Sequence, residues 1–206
     1  MSGAPIFATP AAMYEAVLAA TAGGRTVRNF VGTISQMDAA VLEVPTALFP
    51  RDALRFYTRF NLDELSADSA EDAAAAAVWY SAARGGGQGD YRAGLRAKLD
   101  NVVAALAAFP RSKRAVLTVP SAVDAAHSDD AAAKCLRELH FYIEGGEGGA
   151  PRTLCCTGFM RAQAASIFPK NIHFIGTVMG RVAERLSLPV GQYTHFVTTL
   201  IDERSS

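Results

Sequence analysis

Three residues that can do chemistry together fall on successive segments of residues 134–176, KCLRELHFYIEGGEGGAPRTLCCTGFMRAQAASIFPKNIHFIG. Cys135 offers a soft nucleophile, Arg161 an anion clamp, and Asn171 a planar group that both donates and accepts hydrogen bonds. Cys135 leads into an apolar run, Leu139–Ile143, which reads as a strand. A glycine-rich hairpin follows, then a second strand, Thr153–Phe159, which ends at Met160-Arg161. Pro169-Lys170-Asn171-Ile172 stands at the mouth of an apolar helix. A cysteine at a strand start is more often a small buried hydrophobe than a catalyst, and Cys155 and Cys156 read that way, on alternate sides of their strand. No CxxC or His/Cys spacing points to a metal.

These groups need elements to hold them. Helices are expected over about 10–22, 70–83, 94–108 and 172–186, from apolar residues at helical spacing. The clearest is the third, with Leu95, Leu99, Val102, Val103 and Leu106 on one face. Ser69-Ala-Glu-Asp supplies a capping signal for the second, and Gly23-Gly24 ends the first. Strands are expected within 30–44 and over 115–119, 138–144, 153–160 and 193–200. Pro50–Ala67 reads as a connector with a short helix, and Pro120–Ala132, with His127, as an exposed connection. Gly85-Gly86-Gly87-Gln88-Gly89 is a flexible loop and not a nucleoside-triphosphate loop, since no Gly-Lys-Ser/Thr follows.

Composition bounds the answer further. At 206 residues, a single domain with a sizeable core is the natural expectation. Half the residues are hydrophobic and 19% are charged, which excludes a disordered tail protein. The net charge is zero, so no global field favours nucleic acid or an anionic membrane, and phosphate recognition must come from a local basic cluster. Three cysteines, two of them adjacent, suit a reducing compartment better than a disulfide framework. No apolar run approaches the roughly 20 residues a spanning helix needs, so a cytoplasmic chain is expected, without membrane or nucleic-acid partners.

The same stretch resembles thymidylate synthase and the pyrimidine-nucleotide hydroxymethylases. That family carries a nucleophilic cysteine before a strand ending in Phe-Tyr-Val; here Cys135 precedes Phe141-Tyr142-Ile143. Its next strand, Leu-Ser-Cys-Gln-Leu-Tyr-Gln-Arg-Ser, is matched by Leu154-Cys155-Cys156-Thr157-Gly158-Phe159-Met160-Arg161-Ala162. Its Leu-Pro-Phe-Asn-Ile is echoed by Phe168-Pro169-Lys170-Asn171-Ile172, and its Tyr-Gly-x-x-Trp-Arg by Tyr91 and Arg96. The resemblance implies an α/β (α+β) fold, with a mixed, largely antiparallel sheet covered by helices, in a homodimer.

It also implies roles. Cys135 would add to C6 of a pyrimidine, Tyr91 would join the hydrogen-bond network below it, Asn171 would read the base edge, and Arg161 would hold phosphate. Arg25 and Arg28, in the loop after the first helix, are both candidates for the phosphate-reaching arginine of that loop. Ser112-Lys113-Arg114 matches a Ser-Arg-Arg loop that grips phosphate in the neighbouring subunit's site, with Arg114 the better match because lysine lacks the bidentate fork. The implied one-carbon donor is 5,10-methylenetetrahydrofolate.

The departures from the family pattern bear on the reaction. The glutamate three residues before Trp79 is Ala76, the histidine after the nucleophile is Leu136, and the Ser and Asp of Arg-Ser-x-Asp are Ala162 and Ala164. The C-terminal His-x-Tyr that holds the ribose is absent: Ile201 and Glu203 stand near its place, and Tyr193 and His195 lie earlier. Two readings follow. One is a divergent enzyme acting on a pyrimidine nucleotide or nucleoside at C5 or C6 through Cys135. The other is a non-catalytic paralogue serving as a nucleotide-binding or partner subunit.

Overall fold

The computed structural model describes residues 4–84, 86–119, 134–146, 148 and 151–202. His127, the rest of 120–132 and Glu203 lie outside the described residues. Six strands form one open mixed sheet, covered by five α-helices. The strands are β1 (Ile6–Phe7), β2 (Val27–Ile34), β3 (Val116–Thr118), β4 (Leu136–Glu144), β5 (Thr153–Ala164) and β6 (Val190–Ile201), in the order β1-β2-β6-β5-β4-β3. Antiparallel pairing joins β2 to β6, β4 to β5 and β3 to β4; the β1–β2 and β5–β6 pairs are parallel. Parallel neighbours need a crossover. Helices α1 (Pro10–Thr21) and α5 (Phe168–Arg185) provide the two crossovers and pack against each other.

Helix α5 is the spine of the helical layer. It touches α1, α2 (Arg51–Asn61), α4 (Leu95–Ala108) and β5. Its inward face, Ile172, Ile175, Val178, Met179 and Val182, is almost fully buried beside Met160, Tyr193 and Val197 of the sheet. A second, smaller cluster joins Phe49, Leu54, Phe56 and Tyr57 with Ala76 and Trp79 of α3 (Ala70–Trp79). The opposite sheet face shows Thr157, Phe159, Thr194 and Phe196 half-buried, with the two phenyl rings stacked at 5.3 Å.

The observed elements differ from the expected ones at several places: β1 is not among those expected, β2 begins at Val27, α3 ends at Trp79 and β5 runs on to Ala164. Helix α5 begins at Phe168, four residues before the expected 172, so Pro169, Lys170 and Asn171 form its first turn instead of standing at its mouth. Proline is at home there, because the first helical N–H groups have no partner to lose. The strand expected within 30–44 ends at Ile34, and the chain then runs irregularly to Pro50. The short helix expected within the connector at 50–67 is present as the eleven-residue amphipathic α2, with Ala53, Leu54, Phe56 and Tyr57 turned inward.

Candidate functional site

Cys135 sits immediately before β4, and its carbonyl accepts the Arg161 N–H at 2.9 Å. The thiol-bearing residue and Arg161 are therefore neighbours across the β4–β5 pair. An irregularity between Leu136 and Glu138 shifts the register there, pairing Leu136 with Met160 and Glu138 with Phe159. Bulges of this kind often re-aim a side chain beside a site.

Tyr91 reaches this point from a different direction. It lies between a short 3-10 turn at Gly86–Gly89 and α4, and its N–H donates to Asn61 Oδ1 at 2.6 Å. Asn61 Nδ2 in turn donates to the Tyr57 carbonyl at 3.0 Å, which ties the segment to α2. The Tyr91 ring packs 5.7 Å from Phe174, and the residue is buried. Its hydroxyl lies close enough to Cys135 and the Leu136 backbone for both to act on its ionisation. Burial holds it well above the ordinary phenol range, and Cys135 adds to that shift.

Asn171 approaches from α5. It is 4% exposed, and its Nδ2 lies 3.9 Å from Met160 Sδ, the residue paired with Leu136. Its carbonyl oxygen, Oδ1, is buried and accepts no hydrogen bond from the described residues. A buried orphan acceptor of this kind calls for an explanation, because leaving one unmet costs about 1–3 kcal/mol. The preceding residue, Lys170, is 3% exposed; its Nζ donates to the Arg84 carbonyl at 2.9 Å and lies 4.7 Å over the Tyr57 ring. Lys170 thus holds down the segment that leads into Tyr91.

An open pocket of about 350 Å³ is lined by Asp63, Asp90, Arg92, Ala93 and Lys134. Lys134 and Arg92 are the sequence neighbours of Cys135 and Tyr91. The Asp90 carboxyl is held below its usual range, chiefly by its hydrogen bonds to Arg92, with Lys134 contributing.

The remaining candidates divide by position. Arg161 is exposed at the Cys135 end of the sheet. Arg28 is at the same end: it pairs with Thr199, which pairs with Ala162, about 10 Å away across two strand spacings. Arg28 Nη1 also donates to Thr199 Oγ1 at 2.6 Å. Arg25 is engaged elsewhere, donating to the Ala19 and Ala22 carbonyls at 2.6 and 3.1 Å and so closing the C-terminal end of α1. Lys113 and Arg114 are exposed before β3, and Val116 pairs with His140. That register sets them at the far end of β4, roughly 23 Å from Cys135 at about 3.3 Å per residue. Within one chain the fold sets Cys135 and Tyr91 together, brings Asn171 to the adjoining Met160, ties Arg161 to Cys135 through its backbone, and does not bring Lys113 or Arg114 to them.

Tyr193 and His195 are not available as a substitute ribose clamp. Both are buried in the core: Tyr193 hydrogen-bonds His195 Nδ1 at 2.8 Å, and His195 Nε2 hydrogen-bonds Gln163 Oε1 at 2.6 Å. The Gln163 oxygen can only accept, so Nε2 carries the proton and Nδ1 takes the tyrosine's. Burial pushes the imidazole down to about 3. Gly158 leaves the room this chain needs, since a Cβ there would collide with the Tyr193 hydroxyl.

Sequence reasoning passed over Asp63, Asp90, Arg92 and Lys134. Three of them, Asp90, Arg92 and Lys134, are adjacent to residues it singled out, and that adjacency was the available signal. No helix among the described residues is long and apolar enough to cross a membrane. A comparison with protein-family models finds no match, and a comparison with curated proteins finds no similar sequence.

Proposed function

We propose that this chain is a divergent member of the thymidylate synthase and pyrimidine-nucleotide hydroxymethylase superfamily, acting on a pyrimidine nucleotide or nucleoside through Cys135. The observation that carries the reading is convergence: Cys135 and Tyr91 lie together at the β4 start, Asn171 reaches the adjoining Met160 from a third segment, and the residues next to Cys135 and Tyr91 line an open pocket. In the proposed chemistry, Sγ of Cys135 bonds to C6 of the ring and the C5–C6 π electrons move onto C5. A proton taken up at C5 gives the 5,6-dihydro adduct; loss of a C5 proton with expulsion of the Cys135 thiolate from C6 restores the C5–C6 double bond and frees the enzyme. The unmet Oδ1 and the amide of Asn171 suit the N3–H and O4 edge of a uracil. Arg161, with Arg28 farther along the same end, suits the phosphate.

The implied folate does not fit the residues present. Ala164 is buried and apolar where the family places a folate-positioning aspartate, and Ala76 packs in the smaller core where the family has an acid/base glutamate. The proposed chemistry therefore stops at the Cys135 adduct, and conventional dUMP methylation is not expected.

A symmetric homodimer through the half-buried sheet face around Phe159 and Phe196 belongs to the same proposal, since an isologous contact needs one self-complementary patch. Lys113 and Arg114 would act only across such a dimer. A working thiol also suits a reducing, cytoplasmic setting. The test is calorimetric titration with dUMP, UMP, dCMP, CMP and their nucleosides, with sedimentation run alongside. Binding of one nucleotide to a dimer supports the reading. No binding to any of them would replace it with the partner-subunit reading.

A further inference from the structure

Arg92 has the geometry of a built anion anchor, and no match to the family pattern assigns it a role. Its guanidinium is fixed on two sides. Nη2 donates to Asp90 Oδ2 at 2.8 Å and Nε to Asp90 Oδ1 at 3.0 Å, while the flat of the group lies 4.0 Å over the Phe60 ring. Asp90 is itself fixed, because its Oδ1 accepts the Arg92 N–H at 3.1 Å. The Nη1 group makes no hydrogen bond with the described residues, and Arg92 lines the pocket. A guanidinium held this way has already lost most of its side-chain freedom, so a ligand does not have to order it.

The rest of the lining narrows the ligand. Lys134 adds a second cation beside Cys135, and Asp63 adds a carboxylate acceptor to the same pocket. Among the described lining residues, two cations stand against two carboxylates, a balance that disfavours a bare anion. A ligand that carries an anion for Arg92 and Lys134 together with hydroxyls for Asp63 satisfies the whole lining. We propose that this pocket binds the sugar-phosphate part of the substrate, with Arg92 as the phosphate anchor. Adding this anchor to Arg161 rests on the nucleotide reading above, whereas the sugar-phosphate preference rests on the pocket alone.

The experiment titrates the full chain with UMP, uridine and ribose 5-phosphate, in wild type, Arg92→Ala and Arg92→Lys, with thermal melting to verify folding. Arg92→Ala is expected to weaken UMP and ribose 5-phosphate by about 10- to 100-fold and to leave uridine unchanged, as loss of a charge-assisted hydrogen bond does. Arg92→Lys keeps the charge without the fork and should fall between the two. UMP binding equally to wild type and both variants would overturn the anchor while leaving the nucleotide reading in place. Arg92-dependent binding of ribose 5-phosphate, with UMP no tighter, would uphold the anchor and remove the pyrimidine. If neither phosphate binds wild type, the anchor is overturned.

Discussion

Cys135 and Tyr91 meet beside an open pocket lined by Arg92 and Lys134, whereas Cys156 and Tyr193 meet inside the sheet–helix core with His195 hydrogen-bonded to the tyrosine. The second group has the residue types of a thiol–imidazole catalyst, yet burial disables it twice. It pushes the Cys156 thiol well above its ordinary range and the His195 imidazole down to about 3, so the pair resists forming thiolate and imidazolium. Cys155, on the other side of the strand, is also raised, mainly by burial and further by Glu144. The first group adjoins an opening lined by two cations and two carboxylates instead. Residue type alone does not set reactivity here; access to water separates the two regions.

The largest expected effect concerns the buried group. His195 is neutral in the fold and has an ordinary value when unfolded, so the unfolded chain binds the extra proton between about pH 6.5 and 3. Its contribution is therefore complete above pH 6.5 and is lost as pH falls, amounting to roughly 3 kcal/mol by pH 4. Urea unfolding at pH 7 and pH 4 should show a smaller acid loss in His195→Gln than in wild type. An identical pH dependence in the two would mean that the imidazole is not held as described.

Alkylation addresses the comparison next. With iodoacetamide at pH 7.5 on the folded protein, Cys135 should react about 100-fold faster than Cys156 or Cys155, because the last two are buried and protonated. Peptide mapping over time reads the ratio. Comparable rates at Cys135 and Cys156 would erase the distinction between the two regions.

The smallest effect sharpens the open region itself. Arg161→Ala should weaken a pyrimidine nucleotide by about 1.5–3 kcal/mol and spare its nucleoside. Arg25→Ala should change neither, since Arg25 is committed to the end of α1. Equal losses for nucleotide and nucleoside with Arg161→Ala would make Arg161 a structural residue.

Much of the fold was legible because its signals are local. Alternation marks β4 and β5, and helical spacing marks α4. Helix α2 was harder, because Arg51, Asp52, Arg55 and Arg59 break up the apolar run and only packing reveals its inward face. The early start of α5 was hidden by Pro169, which reads as a break but is tolerated in a first turn. In the site, Cys135, Tyr91, Asn171 and Arg161 stood out by motif. Arg92 and Lys134 did not, since a charged residue in a loop looks the same whether it faces bulk water or a pocket. Which end of the sheet Lys113 and Arg114 occupy depends on the β3–β4 register, which sequence does not display.

The central claim is that Cys135, and no other thiol in the chain, attacks a pyrimidine. Intact-mass measurement after incubation with 5-fluoro-dUMP, with and without 5,10-methylenetetrahydrofolate, tests it most directly. The account predicts a covalent adduct on Cys135 that is lost in Cys135→Ser and, in a parallel incubation with dUMP itself, slow or absent dTMP formation, because missing acid/base help typically costs about 10²–10⁴-fold. An adduct mapped to Cys155 or Cys156, or no adduct despite nucleotide binding, would contradict it.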